Sequence, residues 1–344
     1  MSTRNPLGSS PRRWCLIALL GAVLLAAMGL ALTIGPAKVP FRQVLRMIAS
    51  RLPYLASWIK PDWTGADELI LFEIRMPRII LSVLVGGALA AAGTVFQGLF
   101  RNPMADPYVM GISAGAALGA SIAHICHLPV PLMAFTWGLG TTSLVYQLAR
   151  VGSKAAGTVL LLAGIVVGAF MSAINSFLLV MNREEMSQIT IWLMGGFSSR
   201  GWVHVRAALV YFILGFALVA FFARDLNVMI FGEDRAHQLG IELDRVQKVL
   251  VAGASLLTAA AVSVSGIVGF VGLIVPHTVR LFIGPDHRCL LPASCLAGGL
   301  FLLIADTLAR TLLDPMELPV GIITSMAGAP FFLHLLLKKK QTSM

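Results

Sequence analysis

The sequence predicts an all-α polytopic membrane protein of about ten transmembrane helices, and three observations carry that prediction. Of the 344 residues, 57% are hydrophobic and only 12% are charged, half the charged share of roughly 25% in ordinary soluble domains. The mean hydropathy is +0.84. Several apolar stretches exceed the ~18 residues that cross a hydrocarbon core about 30 Å thick. Each such stretch must pair its own backbone N–H and C=O groups inside lipid, so spanning helices follow.

The elements follow in order along the chain. Residues 1–13 carry Arg4, Arg12 and Arg13 ahead of the apolar run Trp14 to Ile34. That run is longer than a signal-peptide core and long enough to span, so it reads as the first helix, its positive flank in the cytoplasm. Residues 35–79 form a long external segment in which Phe41 to Leu52 reads as an amphipathic interfacial helix. Further spans fall at about 80–99, 108–126, 130–149, 157–181, 205–223, 247–264, 267–283, 290–309 and 319–337. The pair at 247–264 and 267–283 is closely spaced, so a fused span and a count of nine is the alternative. Ten spans put both termini, including the tail 338–344, in the cytoplasm.

Charge supports that orientation weakly. The net charge is +10, but the basic residues are dispersed between apolar runs rather than gathered on one nucleic-acid-binding face. The cytoplasmic side receives 15 of the 26 lysines and arginines. Most of the external remainder lies within 35–79. The long polar stretch 224–245 is cytoplasmic by this count, and Glu233 to Gly240 reads as a short exposed helix ended by glycine. Such an element suits docking, with a solvated loop as the alternative.

Glycines at Gly111, Gly115 and Gly119, at Gly164 and Gly168, and at Gly266, Gly269 and Gly272 have the spacing of close helix contacts in lipid. The four cysteines show neither a CxxC pair nor a disulfide framework and read as packing residues.

Enzymatic chemistry is missing from the sequence. Gly152-Ser153-Lys154 lacks the earlier glycine and the spacing of a phosphate-cradling P-loop. No HExxH, GxSxG or paired-carboxylate pattern lies in the spans, so the chain is not read as an enzyme. His124, Cys126 and His127 do not share a helical face, and no metal site is assigned to them. Asp306 is the clear embedded acid, four residues before Arg310, a spacing that makes a structural ion pair of Asp306 and Arg310 the expectation. An ion-gradient-coupled secondary transporter would need more intramembrane charge and is the distant alternative.

The segment Gly93-Thr94-Val95-Phe96-Gln97, followed by Arg101-Asn102-Pro103-Met104-Ala105-Asp106-Pro107-Tyr108 and running on through Gly111 to Ala116, closely resembles the FecCD family of permeases. Further blocks agree in the same order: Arg75-Met76-Pro77-Arg78, Trp192 to Gly196, Gly232 to Gly240, Gly266 to His277, Glu317 to Gly321 and Gly328 to Phe332. The resemblance covers nearly the whole chain from about residue 70 onward. It implies the permease fold of type II ABC importers, which carry ferric siderophores, haem or cobalamin across the bacterial inner membrane. It further implies a homodimer or paired permease, two ABC ATPase subunits below, and a periplasmic or lipid-anchored substrate-binding protein above. ATP and magnesium would then be bound by the ATPase, with no cofactor in this chain. Ferric siderophore is the leading cargo, with cobalamin and haem as alternatives.

The same resemblance suggests residue roles. Glu233, Ala236 and Gly240 match coupling helices that fit a cleft on the ATPase. Arg75, Arg78 and Arg310 match arginines that pair with glutamates of the binding protein in cobalamin import, where such charges guide encounter and register. Headgroup contact at the membrane surface is the alternative for those arginines. Asn102 and Met104 match the cytoplasmic gate, with methionine where leucine is usual, and Thr158 is a further gate candidate. Ser172, Asn175 and Ser176 place polar groups along the fifth span, either lining the conduit or bonding neighbouring helices.

Overall fold

Apolar length decides which segments become helices, and the computed structural model describes residues 11–35, 37, 39–51, 54, 61–151, 154–155, 157–230 and 242–342. Among these lie thirteen α-helices: α1 Pro11–Thr33, α2 Phe41–Ser50, α3 Gly65–Leu99, α4 Ile112–Ile125, α5 Val130–Leu148, α6 Gly157–Met181, α7 Met186–Leu193, α8 Trp202–Phe221, α9 Ala223–Met229, α10 Leu243–Ser265, α11 Val271–Ile283, α12 His287–Ala309 and α13 Val320–Thr342. Ten of them fall on the ten predicted spans. A two-residue hairpin, β1 Arg150–Val151 against β2 Lys154–Ala155, joins α5 to α6.

Six helices are long and apolar enough to cross a membrane by themselves: α1, α3, α6, α8, α10 and α12. Two layers emerge from their burial. In α3 and α10, 83% and 78% of the most apolar window is buried, against 22% in α1, α6 and α8. The first pair is therefore the centre of the bundle, and the last three present apolar faces to lipid or to another chain.

Local sequence explains the ends. Thr64 accepts the Asp67 N–H at 3.2 Å while the Asp67 carboxylate accepts the Thr64 N–H at 3.0 Å, a reciprocal capping box that starts α3 well before residue 80. A π-helical stretch over Ile70–Arg75 follows within it. The helix α2, predicted to be interfacial, buries Val44 and Met47 and exposes Phe41, Arg42 and Leu45.

Two predicted spans are broken rather than continuous. The segment 108–126 opens as a 3-10 turn, Pro107–Met110, and becomes α4 only after Gly111 at φ 74°. The stretch predicted from 267 is irregular until Val271, with Gly266 at φ 70° and Phe270 at φ 69°. The connection is thus a true break, so α10 and α11 are separate helices. At 13 and 14 residues, α11 and α4 reach only about 20 Å.

Glycine sets the closest helix approaches. A Cβ on Gly86 would lie 2.2 Å from the Gly298 carbonyl oxygen, and one on Gly93 would lie 1.9 Å from that of Gly272. Backbones therefore touch where α3 crosses α12 and α11. The predicted contacts at Gly115 and Gly164 are equally tight, at 2.1 Å from Thr141 Oγ1 and 1.9 Å from the Val109 oxygen. A Cβ on Gly269 would meet nothing within 4 Å among the described residues, so its smallness serves no such contact within the chain.

Candidate functional site

The two broken segments meet inside the bundle. Irregular backbone survives at membrane depth only where protein satisfies it, and here one side chain does so twice. The Tyr108 hydroxyl donates to the Val268 carbonyl at 2.9 Å and accepts the Val268 N–H at 3.2 Å. Asp106 accepts the Tyr108 N–H at 2.8 Å, fixing the turn that aims the phenol. Next to this clasp Gln97 donates to the carbonyls of Gly272 and Leu273, at 3.3 and 3.0 Å, and accepts from Arg280 at 3.3 Å. Sequence reading assigned no role to Tyr108 or Gln97. The signal was the Asp106-Pro107-Tyr108 turn ahead of glycine, which announces a break rather than the start of a regular helix.

At the end of the bundle that the sequence places outside, the three predicted docking arginines are buried, with relative exposures of 4% for Arg75, 7% for Arg78 and 3% for Arg310. Arg75 donates to the Leu32 carbonyl at 2.7 Å and also to Ala37, and Arg310 donates to the Ala31 carbonyl at 2.7 Å. Both guanidinium groups thus cap the last turn of α1, where carbonyls lack intrahelical partners and the helix dipole favours a cation. Arg78 is neutralised on two sides. It reaches Asp306 through Nε and Nη2 at 2.9 to 3.1 Å, and both Glu317 oxygens through Nη1 at 2.9 Å.

The ion pair expected between Asp306 and Arg310 is therefore corrected: Asp306 belongs to Arg78. A forked guanidinium arriving from α3 offers the carboxylate two N–H groups, whereas Arg310, at the end of α12, is drawn to the open carbonyl of α1. Glu317 also accepts from the Ser198 hydroxyl at 2.6 Å. Burial would raise its pKa, but Ser198 and Arg78 outweigh that and hold it below the ordinary carboxylate value. This cluster forms one wall of a cavity of about 460 Å³ that Trp192, Gly196, Arg200 and Pro319 also line.

At the opposite end, Asn102 closes the turn after α3, its side-chain oxygen accepting the Met104 N–H at 3.0 Å. Asn102 is exposed and Met104 half-buried. Arg101, beside them, donates to the Met229 carbonyl at 2.7 Å. Met229 ends α9, and Asn227 two residues earlier donates to Asp286 at 2.8 Å while accepting the His287 N–H at 2.9 Å. Asp286 in turn caps α12 and pairs with Arg288 at 2.8 Å. Burial pushes its pKa up, but hydrogen bonds from Arg288 and Asn227 prevail and hold it at about 2. An aspartate just ahead of an apolar run is the legible sign of such a cap. The predicted coupling residues Glu233, Ala236 and Gly240 lie outside the described residues.

Along α6 the polar residues divide. Asn175 is buried and accepts the Ser121 hydroxyl of α4, a bond between helices. Ser172 and Ser176 are exposed, and the Ser176 hydroxyl turns back to the Ser172 carbonyl at 3.0 Å. Thr158 is exposed near the start of the same helix.

A bundle of apolar, membrane-length helices with broken segments clasped at its centre has the architecture of a polytopic membrane-transport protein. The chain belongs to the FecCD transport family, whose model matches residues 5–338. It is 43% identical over 330 residues to the cobalamin import system permease protein BtuC of Halobacterium salinarum, covering 93% of this chain and 89% of that one. It is 34% identical over 335 residues to the Fe(3+) dicitrate transport system permease protein FecD of Escherichia coli K12, covering 94% and 99%. Among solved structures, a chain described as an inward-facing conformation of a metal-chelate type ABC transporter superposes with a TM-score of 0.82 at 29% identity, covering 94% of this chain and 99% of that one. The protein is thus a multi-pass, non-catalytic permease subunit of an ABC transporter. Permeases of this family carry no cofactor, and their ATPase is a separate subunit.

Proposed function

We propose that this permease imports a metal chelate, a ferric siderophore in the first reading, by alternating access powered through a partner ATPase in the bacterial inner membrane. The observation that carries the reading is the superposition on a metal-chelate type ABC transporter over 94% of the chain. Ion-coupled carriage finds little support, because the embedded acid Asp306 is consumed by Arg78.

The coupling proposal gains support from Arg101. It ties the turn that holds Asn102 and Met104 to the last residue of α9, two residues before residue 231. Motion of Glu233, Ala236 and Gly240 on the ATPase would reach the gate along this short path. The exposed Ser172 and Ser176 suit a conduit closed by a second permease chain laid against α6, which makes a homodimer the natural assembly. Docking of a binding protein at Arg75, Arg78 and Arg310 is tested by rescue. Charge reversal there first removes the helix cap or the ion pair, so only recovery by reversed carboxylates on the binding protein reports docking.

Cobalamin is the second reading, favoured by 43% identity to a cobalamin permease against 34% to an iron dicitrate permease. Proteoliposomes holding this chain, its ATPase and its binding protein, offered iron-labelled siderophore and cobalt-labelled cobalamin, discriminate the two. Accumulation of labelled siderophore alone supports the first reading and of cobalamin alone the second. Uptake of neither, nor of haem, sinks the metal-chelate proposal.

A further inference from the structure

A crevice separate from the proposed gate and from the external arginine cluster opens between α5, α8 and α10. It has a volume of about 500 Å³ and is lined mainly by apolar atoms of Leu139, Leu218, Val251, Ala252 and Leu256. One end is polar, formed by Ser143, Tyr146, Gln147 and Lys248. In the predicted topology that end faces the cytoplasm. From Lys248 to Ser255 the crevice follows α10 for about 10 Å, and from Gln147 to Leu139 it follows α5 for about 12 Å. Those lengths approach the depth of one leaflet, about half of a ~30 Å hydrocarbon core.

Two observations point to a ligand. Ser255 lines the crevice; it is 2% exposed, and its buried hydroxyl has no hydrogen-bond partner among the described residues. Its neighbour Thr258, by contrast, donates to its i−4 carbonyl at 2.8 Å. Lys248 is exposed and takes part in no ion pair among the described residues. Tyr146 lies in electrostatic range of Arg150 and Asp244, so one further cation and one acid border the polar end. With Lys248 the balance there is positive.

We propose that this crevice is a binding site for one anionic phospholipid of the cytoplasmic leaflet, its phosphate at Lys248 and one acyl chain between α5 and α10. A cation at headgroup depth attracts anionic lipid, and an interhelical groove of one-leaflet depth receives an acyl chain. The exposed apolar faces of α8, with Leu214 at 53% and Phe221 at 79% exposure, place the opening among lipids. Neither Lys248 nor Ala252 belongs to the clasp, the gate or the external cluster.

The assembled transporter, delipidated and titrated with phosphatidylglycerol or phosphatidylcholine, is read by native mass spectrometry. One phosphatidylglycerol per permease chain is retained, in preference to phosphatidylcholine. Lys248→Met lowers phosphatidylglycerol retention about fivefold and leaves phosphatidylcholine unchanged, the effect of one cation at a membrane surface. Ala252→Trp, at an exposed position that tolerates bulk, removes retention of both. Equal retention of the two lipids by the wild type, or full retention by Ala252→Trp, overturns the assignment. Absence of any retained phospholipid overturns it as well.

Discussion

The buried triad of Arg78, Asp306 and Glu317 makes a ranked prediction. Asp306 is 1% exposed and, among the described residues, takes its charge-assisted bonds from Arg78, whereas the Glu317 side chain is 35% exposed. Arg78→Ala therefore leaves a carboxylate buried without a partner, the situation that destabilises by about 3–5 kcal/mol. Asp306→Ala leaves Arg78 with Glu317 still opposite, so the loss falls toward the lower end of that range. Glu317→Ala removes a partner that water can replace, for about 1 kcal/mol or less. Unfolding free energy from reversible sodium dodecyl sulfate titration in mixed micelles measures the series. The double change Arg78→Met with Asp306→Leu, apolar on both sides, recovers most of the loss because neither charge is then stranded. If Arg78→Ala unfolds within 0.5 kcal/mol of wild type, or the double variant is worse than Arg78→Ala, the reasoning is refuted.

Three further outcomes follow from the geometry. Gly93→Ala places a methyl 1.9 Å from the Gly272 oxygen and destabilises by about 1–3 kcal/mol through forced separation of α3 and α11; the same titration checks it. Tyr108→Phe strands the buried Val268 carbonyl and N–H, lowers stability by about 1–3 kcal/mol, and raises hydrogen exchange at residues 266–270 above that of α10. Arg101→Ala cuts the tie to Met229 and uncouples the gate, so chelate uptake per ATP hydrolysed falls while ATPase activity of the assembled transporter persists; unchanged stoichiometry removes Arg101 from the coupling path.

Much of the architecture was legible because lipid restricts the solutions. A run such as Leu243–Ser265 can only be a helix in that solvent, whereas the capping pattern Thr64 to Asp67 and the aspartate before α12 mark helix starts that hydropathy alone placed later, at 80 and 290. Less was legible where distant segments meet. Asp306 and Arg310 have ideal spacing for a pair on one helix, yet Arg78, 228 residues away in sequence, takes the carboxylate. Nothing local reveals that contact. The same holds for Arg75 and Arg310, whose charges look like external recognition groups until the end of α1 is placed beside them. The break at Gly111 was visible as a motif glycine, but hydropathy averages over it and drew a continuous span; the break at Gly266 fell between two drawn spans, and only the irregular residues 267–270 were taken into the second. Of the predicted polar residues on α6, Asn175 bonds to a neighbouring helix while Ser176 bonds back to its own among the described residues, since facing depends on a rotation that periodicity in an almost wholly apolar helix does not fix.

Uptake into sealed proteoliposomes tests the central claim most directly, with this chain reconstituted alone or with its ATPase and binding protein. The account predicts that labelled chelate accumulates only when the ATPase and ATP are both present, and that imposed proton or sodium gradients drive none. Accumulation driven by a gradient across vesicles holding this chain alone would contradict it.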